Sequence, residues 1–545
     1  MEVVKIYDTT LRDGSQAEGV SLLAGDKLRI AEKLDELGVH YIEGGWPGSN
    51  PKDMTFFKKI KKVSLHQAKI AAFGSTHNAK YPVDKDPNIL ALIQAESKVI
   101  TIFGKSWDLH VTDALNIDLE RNLELIFDSI VLLKKYAEEV IYDAEHFFDG
   151  YRNNQEYALR TIKVAEEAGA DCVVLCDTNG GTLPHEVPPI IQAVRQVISK
   201  PLGIHAHNDS ESAVANSLMA IQLGVHHVQG TINGIGERCG NANLCSIIPN
   251  IKLKLGKDCI SDSQLKSISS VSRFVNEIAN LKSWSNQPYV GDSAFAHKGG
   301  IHVSAIQKNT LTYEHIQPAL VGNHQRVLVS DQAGRSNLLY KAVEYGVDLS
   351  KDSPEIIHLL NQLKEMENLG FQFEAAEASF ELLMKRAIGR YPDFFQLAGV
   401  GYSVYVGKRN GDKHPYATAV VQIEVEGVWL EPQAGIGEGP VNALDEALRK
   451  SLVSKYSSIG LMKLTDYKVS ILNDRQGTAA KTRVLIESCE ERHKWGTVGV
   501  SENIIEASWQ ALVDSYKFFL LKEWEKNNLQ VEKIENYLEI FQPVK

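Results

Sequence analysis

The stretch Cys172-Val-Val-Leu-Cys-Asp-Thr-Asn-Gly180 joins a short apolar run directly to a polar turn. Runs of this kind, each followed by apolar residues at helical spacing such as Leu28, Ala31, Leu34 and Leu37, recur through the first half of the chain. Strands that alternate with helices favour parallel pairing, and eight such units predict a closed (β/α)8 TIM barrel. The eight runs are Val3–Tyr7, Tyr41–Glu43, Ile70–Phe73, Val99–Phe103, Val140–Tyr142, Cys172–Cys176, Leu202–Ala206 and Val225–Gly230.

A doubly wound open sheet is the alternative arrangement for parallel strands. Such sheets more often have fewer strands, and their first turn is rich in glycine. No GxGxxG follows the first run here, and no GxxxxGK[ST] occurs anywhere in the chain. We therefore predict a barrel domain over residues 1–260.

Composition and charge are those of an ordinary globular chain. Of the 545 residues, 43% are apolar and 23% are charged, and the net charge is −11. This charge disfavours nucleic-acid and anionic-membrane partners, and no apolar run approaches the roughly 20 residues that span a bilayer. The six cysteines form no CxxC pair, and we expect Cys172 and Cys176, four apart in an apolar run, to be buried thiols rather than a bridge or a metal site. No signal peptide is evident at the N-terminus, so we expect a cytoplasmic protein.

Two further regions are predicted beyond the barrel. Residues 261–395 carry helix-period apolar residues and predict helical linker subdomains. Residues 396–545 begin with alternating, strand-like segments, and one helix follows Gly439-Pro440 while another follows Gly499-Val500. We therefore predict a C-terminal α+β domain of two ββα-type repeats with a regulatory or dimerisation role.

Polar residues cluster where several runs end, and in a barrel these strand ends share one mouth. His205 and His207 are two residues apart, so on a strand both side chains point to the same face. Asp13 follows the first run, and Asn241 lies past the eighth. Two imidazole nitrogens and two oxygens suit a divalent metal that keeps positions open for substrate. The alternative for the histidine pair is two partly exposed loop residues.

Several ordered segments resemble the isopropylmalate, homocitrate and citramalate synthase family. They are Asp8-Thr-Thr-Leu-Arg-Asp-Gly-Ser-Gln16, His205-Ala-His207, Asn233-Gly-Ile-Gly-Glu-Arg-Cys-Gly-Asn241 and Ala294-Phe-Ala-His-Lys-Gly-Gly-Ile-His302. The segments that look most like the citramalate synthase branch are Tyr142-Asp-Ala-Glu-His-Phe-Phe-Asp-Gly150 and Glu365-Met-Glu-Asn-Leu-Gly-Phe-Gln-Phe-Glu-Ala375. The resemblance implies a divalent metal, Mn²⁺, Mg²⁺ or Zn²⁺, and the residues implied to hold it are Asp13, His205, His207 and Asn241.

The resemblance also implies roles for residues around the metal. Arg12 would hold developing alkoxide charge, and its alternative is a salt bridge within the barrel mouth. Gln16 and Thr178 would contact the substrate, although Thr178 alone is equally suited to capping the following turn. Glu145 would orient a carbonyl or relay a proton, and its alternative is a solvated carboxylate.

A base is needed because the methyl group of acetyl-CoA is a very weak acid. The resemblance implies that His302 and Tyr313 serve this step and come from the partner subunit of a homodimer. His297 is a weaker candidate for the same role.

Members of the family condense acetyl-CoA with a 2-oxo acid, and the resemblance implies pyruvate as the acceptor. The expected products are (R)-citramalate and CoA, in isoleucine biosynthesis. The alternative within the family is 2-oxoisovalerate, which gives 2-isopropylmalate in leucine biosynthesis. A lyase that runs the reverse direction and a non-catalytic ligand sensor are alternatives outside it.

Regulation is the expected task of the C-terminal domain, because it carries none of the candidate catalytic residues. Isoleucine is the expected allosteric inhibitor, with leucine as the effector under the isopropylmalate alternative. We expect its pocket between the repeats, at Gly435–Gly439 and Trp495–Gly499, since glycines allow a small ligand to approach the backbone. A plain dimerisation module is the alternative.

Overall fold

Eight parallel strands close into a barrel in chain order, in a computed structural model that describes residues 3–330, 333–350, 353–389, 391–408, 414–472, 480–491 and 493–540. Each strand pairs with its neighbour in sequence, and the first strand pairs with the eighth. The strands are β1 (Lys5–Asp8), β2 (Tyr41–Gly45), β3 (Lys69–Ser75), β4 (Val99–Lys105), β5 (Glu139–Glu145), β6 (Cys172–Asp177), β7 (Leu202–Ala206) and β8 (His227–Gly230). The predicted (β/α)8 barrel is confirmed.

Helices separate these strands and cover the outside of the barrel. They are α1 (Ala24–Leu37), α2 (Pro51–Ile60), α3 (Pro87–Gln94), α4 (Leu119–Leu133), α5 (Phe147–Asn153), α6 (Gln155–Glu167), α7 (Val187–Val197) and α8 (Ala213–Gln222), and then α9 (Leu244–Pro249), α10 (Asp262–Leu265) and α11 (Ile268–Ile278) follow β8. Both faces of each strand are covered, which explains the nearly continuous apolar runs; all six residues of β6 are buried.

Local signals in the sequence fix where the helices begin and end. The side chain of Asn50 accepts a hydrogen bond from the backbone N–H of Lys52, and Asp118 accepts one from Arg121. Helix α1 ends at Gly38, whose φ of 88° is a left-handed conformation that glycine adopts without strain.

The chain packs as two compact units. The first comprises residues 1–296 and 314–325, and the second comprises residues 297–313 and 326–545. The three-domain borders at residues 260 and 395 stay a prediction, because one compact unit can hold more than one domain. Within the described part of the chain, no helix is both long and apolar enough to span a membrane.

Helices dominate the segment between the barrel and the C-terminal strands. The elements are β9 (Ala296–His297), α12 (Gly300–Ile306), β10 (Arg326–Val327), α13 (Arg335–Glu344), α14 (Pro354–Leu369) and α15 (Glu377–Ala387). The C-terminal strands and helices are β11 (Gln396–Gly407), β12 (Tyr416–Val425), β13 (Val428–Trp429), β14 (Gln433–Gly437), α16 (Pro440–Val453), β15 (Lys463–Ile471), β16 (Thr482–Glu490), β17 (His493–Ser501) and α17 (Ile504–Ile540).

Each C-terminal repeat has more strands than the predicted ββα unit. In the first, β12 pairs antiparallel with β11, β13 and β14 before α16 begins. In the second, β16 pairs with β15 and β17 before α17 begins. The sequence conceals β14 because Gly435 and Gly437 break the apolar alternation by which strands are recognised.

The glycines of these repeats make room for the protein's own helices. A Cβ atom on Gly435 would lie 2.2 Å from the carbonyl oxygen of Ala443 in α16. One on Gly499 would lie 2.0 Å from the carbonyl oxygen of Ala507 in α17. Helix backbone thus fills the space beside these two glycines, and the predicted effector pocket at Gly435–Gly439 and Trp495–Gly499 stays a prediction.

Candidate active site

Three predicted metal ligands converge at the carboxyl end of the barrel strands. His205 lies on β7, His207 directly follows it, and Asp13 comes shortly after β1. The Nε2 atoms of the two histidines lie 3.3 Å apart, and the Asp13 Oδ2 atom lies 3.4 Å from that of His205 and 3.9 Å from that of His207. All three side chains are buried. A single ion placed among these atoms could be bound by all of them.

The unsatisfied oxygens of this cluster suit a metal. Asn241, the fourth predicted ligand, lies beside His207 through a backbone bridge, and its Nδ2 group donates to the Ile235 carbonyl at 3.4 Å. Its Oδ1 atom is buried without a partner among the described residues, and so is the Oδ1 atom of Asp13. Buried carboxylate and amide oxygens are costly when unpaired, and coordination of a cation would satisfy both.

The protonation states of the cluster also suit a metal. The His205 Nδ1–H donates to Gln229 Oε1 at 2.9 Å, while the amide nitrogen of Gln229 donates to Asp143 Oδ1 at 3.0 Å. This arrangement leaves the Nε2 lone pair of His205 free to bind a cation. Burial, reinforced by His207, lowers the pKa of His205 to about 3, so its ring is neutral.

The carboxylate of Asp13 is ionised for a different reason. Burial, the largest influence, works to raise its pKa, but Arg12 and the two histidines outweigh it and leave the pKa below its usual value. Neutral imidazoles and an ionised carboxylate are the forms that coordinate metals. The residues present therefore fit a divalent cation of intermediate hardness.

Arg12 is held at the mouth by an acid that sequence reasoning missed. Its Nε atom donates to Glu43 Oε1 at 2.5 Å, and its Nη1 atom lies 3.4 Å from Asp13 Oδ2. The guanidinium carbon lies 3.7 Å from the centre of the Phe73 ring. Glu43 is fully buried and also accepts a hydrogen bond from the Tyr7 hydroxyl at 2.7 Å. Arg12 thus forms the salt bridge that is the alternative to a role in holding alkoxide charge. It also lines a cavity beside Asp13, His205 and His207.

A cavity of about 190 Å³ opens beside the cluster. Three aromatic rings, those of Trp46, Phe73 and Phe103, form one wall, with ring centres 5.5 to 5.8 Å apart. The indole N–H of Trp46 donates to Asn88 Oδ1 at 2.7 Å, which fixes the ring. The cavity is therefore small, with charged groups on one side and a rigid apolar wall on another.

The three remaining barrel residues of the predicted site line this same cavity: Gln16, Glu145 and Thr178. Glu145 forms an ion pair with Lys105, so it is not the solvated carboxylate of the alternative. Thr178 Oγ1 accepts a hydrogen bond from the backbone N–H of His146 at 2.9 Å. His146 has a left-handed φ of 56°. The Thr178 hydroxyl therefore stabilises the neighbouring loop rather than its own following turn, and its proton remains available to a substrate.

The predicted base residues belong to the second compact unit, whereas the metal cluster belongs to the first. The rings of His302 and Tyr313 stack with their centres 4.2 Å apart. Tyr313 is 47% exposed, and His297 is buried. The structure thus brings His302 and Tyr313 to each other, and their role in catalysis stays a prediction.

Sequence reasoning missed Glu43, Asp143 and Gln229 because each lies inside a strand rather than after one. Asp143 is fully buried, and burial raises its pKa well above the usual value. A signal was nevertheless present, since an acid or amide within an otherwise apolar barrel strand is costly unless it is paired. All three support residues named in the prediction: Glu43 holds Arg12, and Gln229 with Asp143 orients His205.

Comparison with known protein families divides the chain into three matching segments. Residues 3–275 match the family described as HMGL-like, and residues 289–370 match the homocitrate synthase post-HMGL domain-like family. Residues 374–520 match the LeuA allosteric (dimerisation) domain.

Curated relatives match over nearly the whole chain. The (R)-citramalate synthase of Geobacter sulfurreducens is 60% identical over 96% of this chain and 99% of its own. The (R)-citramalate synthase of Aquifex aeolicus is 57% identical over 97% and 100%. A 2-isopropylmalate synthase of Methanocaldococcus jannaschii is 30% identical over 95% of each chain. The chain therefore belongs to the (R)-citramalate synthase family.

Proposed function

We propose that the protein condenses acetyl-CoA with pyruvate and water, releasing (R)-citramalate and CoA. The observation that carries this proposal is the convergence of Asp13, His205 and His207 beside Arg12 in a cavity of about 190 Å³. A 2-oxo acid presents its keto and carboxylate oxygens side by side, so it can meet a cation and a guanidinium together. The names of the relatives that match at 44 to 60% identity support the same reaction.

A divalent cation belongs to the proposal. Asp13, His205, His207 and Asn241 would hold it, and when bound it polarises the keto carbonyl as a Lewis acid. Gln229 would keep the Nε2 lone pair of His205 directed at the ion, through the hydrogen bond it accepts from Nδ1. The donor set of two nitrogens and two oxygens leaves Mn²⁺, Mg²⁺ and Zn²⁺ as candidates.

The chain's own groups would then manage charge and protons. The Arg12 guanidinium, fixed by Glu43, stabilises the alkoxide that forms as the new carbon–carbon bond closes. The Thr178 hydroxyl donates to the substrate carboxylate, and Glu145 orients a carbonyl or relays a proton. His302 with Tyr313, supplied by the second subunit of a homodimer, takes the methyl proton of acetyl-CoA. Water finally cleaves the thioester, and CoA leaves as the thiol.

The aromatic wall favours pyruvate over the larger acceptor. 2-Oxoisovalerate carries an isopropyl group where pyruvate has a methyl group, so it needs room for two more carbons. Trp46, Phe73 and Phe103 pack against one another and cannot retreat without breaking those ring contacts. Each added carbon is worth about 1–3 kcal/mol of discrimination in a pocket of fixed shape.

The test is CoA release from acetyl-CoA with pyruvate, 2-oxoisovalerate or 2-oxoglutarate as acceptor. Two added carbons at about 1 kcal/mol or more each correspond to about 2 kcal/mol or more, so we expect kcat/KM for pyruvate to exceed that for 2-oxoisovalerate by at least about thirtyfold. Phe103→Ala should narrow that ratio by enlarging the pocket, and Phe127→Ala on the exposed face of α4 should not. Higher kcat/KM with 2-oxoisovalerate would favour the isopropylmalate reaction, and no release with any acceptor would overturn the proposal.

We also propose that the C-terminal region makes the protein a homodimer that isoleucine inhibits. The match of residues 374–520 to the LeuA allosteric (dimerisation) domain supports this part. An effector changes activity only if it binds two states of the enzyme with different affinity. Sedimentation should give twice the chain mass of 60.5 kDa, and millimolar isoleucine should lower the rate. Inhibition by leucine alone would point to the isopropylmalate alternative, and inhibition by neither would remove the regulatory assignment.

A further inference from the structure

A second cavity lies at the opposite end of the barrel, where the strands begin. The first residues of six strands line it: Lys5, Tyr41, Glu139, Cys172, Leu202 and His227. Its volume is about 510 Å³, within the range of pockets that hold small organic molecules. The proposed reaction takes place at the carboxyl ends of the strands, so it gives this cavity no role.

The cavity has an excess of positive charge. Lys5, Arg195 and Lys200 line it, and none of them forms an ion pair with a carboxylate in the described part of the chain. Lys5 Nζ donates to the Tyr41 hydroxyl at 3.1 Å, and Arg195 donates to the Gly224 carbonyl. The hydrogen-bond partners of both cations are therefore neutral, although Glu139 lies near enough to Lys5 for the lysine to lower the pKa of that carboxyl group.

Two acids also line the cavity, but cations outside it neutralise them. Glu139 pairs with Lys69 and accepts the Tyr41 hydroxyl proton at 2.8 Å. Asp171 pairs with Lys134 at 2.8 Å. Neither Lys69 nor Lys134 belongs to the lining, so the lining holds three cations against two acids that each have a further cation outside it.

An unpartnered polar group points to a ligand at the same place. His227 is 3% exposed, and its ring packs against those of Tyr7 and Tyr41, with ring centres 5.1 and 5.6 Å away. Its Nε2 atom has no hydrogen-bond partner among the residues that the structure describes. A buried polar nitrogen left unpaired is costly, and barrel interiors normally avoid this. Ile141 and Leu202, both nearly inaccessible to solvent, supply an apolar surface beside it.

We propose that this cavity binds a small organic anion, a carboxylate on a short aliphatic body. The carboxylate meets Lys5, Arg195 and Lys200, the body lies against Ile141 and Leu202, and a polar atom of the ligand or its bound water satisfies His227. Inorganic phosphate shares the charge but lacks the body, so the two anions give different results in the test.

Calorimetric titration of the full-length enzyme with hexanoate tests the proposal. We expect hexanoate to bind more tightly than inorganic phosphate, and hexylammonium not to bind. The double variant Arg195→Gln, Lys200→Gln should weaken hexanoate at least about tenfold, which corresponds to about 1.4 kcal/mol. Lys62→Gln, at an exposed lysine away from the cavity, should leave hexanoate binding unchanged.

The catalytic mouth could also accept carboxylates, so the double variant is assayed with pyruvate as well. Unchanged kcat and KM for pyruvate would locate the lost hexanoate site at the amino-terminal end of the barrel. If hexanoate binds the double variant as tightly as the wild type, or binds neither, the proposal is overturned. Phosphate binding as tight as that of hexanoate would also overturn it, because the apolar surface would then contribute nothing.

Discussion

The substitution Glu43→Gln tests whether a buried acid prepares Arg12 for catalysis. Glutamine keeps the shape of the side chain and can still accept from the Tyr7 hydroxyl, now 2.7 Å from the carboxylate. It removes the charge that faces Arg12 Nε at 2.5 Å. Among the described residues, Asp13 then remains as the acid that forms an ion pair with the guanidinium, with its Oδ2 atom 3.4 Å from Arg12 Nη1.

The expected magnitude follows from this burial. Removing one partner of a buried ion pair costs about 3–5 kcal/mol, and we expect the lower end because Asp13 still offsets part of the charge. Arg12 should turn toward Asp13 and leave the position from which it holds alkoxide charge. Loss of one such donor typically lowers kcat by about 10²–10³-fold, and kcat should fall more than KM for pyruvate rises.

The assay pairs steady-state CoA release with urea unfolding. Glu96→Gln is the matched control, since Glu96 pairs with Lys61 at 2.7 Å on the exposed surface and its loss should leave the urea midpoint nearly unchanged. Tyr7→Phe, which removes the hydrogen bonds of the hydroxyl to Glu43 and Thr101 and spares the ion pair, should have an intermediate effect. A Glu43→Gln enzyme with wild-type kcat and unfolding midpoint would refute the argument that this acid positions Arg12.

Three further predictions follow from the same contacts. Asp13→Asn should lower both the amount of bound metal and the turnover by more than about a hundredfold, while the circular dichroism spectrum stays that of the wild type. Wild-type activity both in this variant and in the enzyme after chelation would exclude a metal role. Mixing Asp13→Asn chains with His302→Ala chains should restore about a quarter of the wild-type activity, because half of the dimers gain one intact site, and verified mixed dimers without activity would place the base in the same chain. Burial lowers the pKa of His205 and His227 from 6.5 to about 3, so the unfolded chain binds more protons than the folded one below pH 6.5. Relative to the double variant His205→Gln, His227→Gln, the metal-free protein should then lose about 2.4 kcal/mol of stability between pH 6 and pH 5, and an identical pH dependence of the two urea midpoints would contradict these burial effects.

The sequence was informative about site residues that lie at or just after the carboxyl ends of strands. His205 lies near the end of an apolar run and His207 directly after it, so their shared face and their location at the mouth of the barrel could both be inferred. Glu43 and Gln229 lie within strands, and nothing in the spacing of residues along the chain indicates which side chain across the barrel they meet. The contact of Arg12 with Phe73 is likewise a product of barrel closure, because it joins residues from β3 and the loop after β1. Strand β14 was missed for a local reason, since its glycines serve helix packing and erase the alternation that marks a strand.

The close approach of helix to strand in the two C-terminal repeats indicates how the repeats arose. Gly499 and Ala507 lie 64 positions after Gly435 and Ala443, and both pairs make the same contact between a strand glycine and a helix carbonyl. This contact, which any side chain on the glycine would disrupt, occurs in both repeats at a constant offset in the sequence. It favours descent of the two repeats from one duplicated ancestor. Selection should therefore keep glycine at both positions, because a backbone carbonyl about 2 Å away cannot rotate aside as a side chain would. Gly439, with no atom within 4 Å of its missing Cβ, is free to drift to other residues.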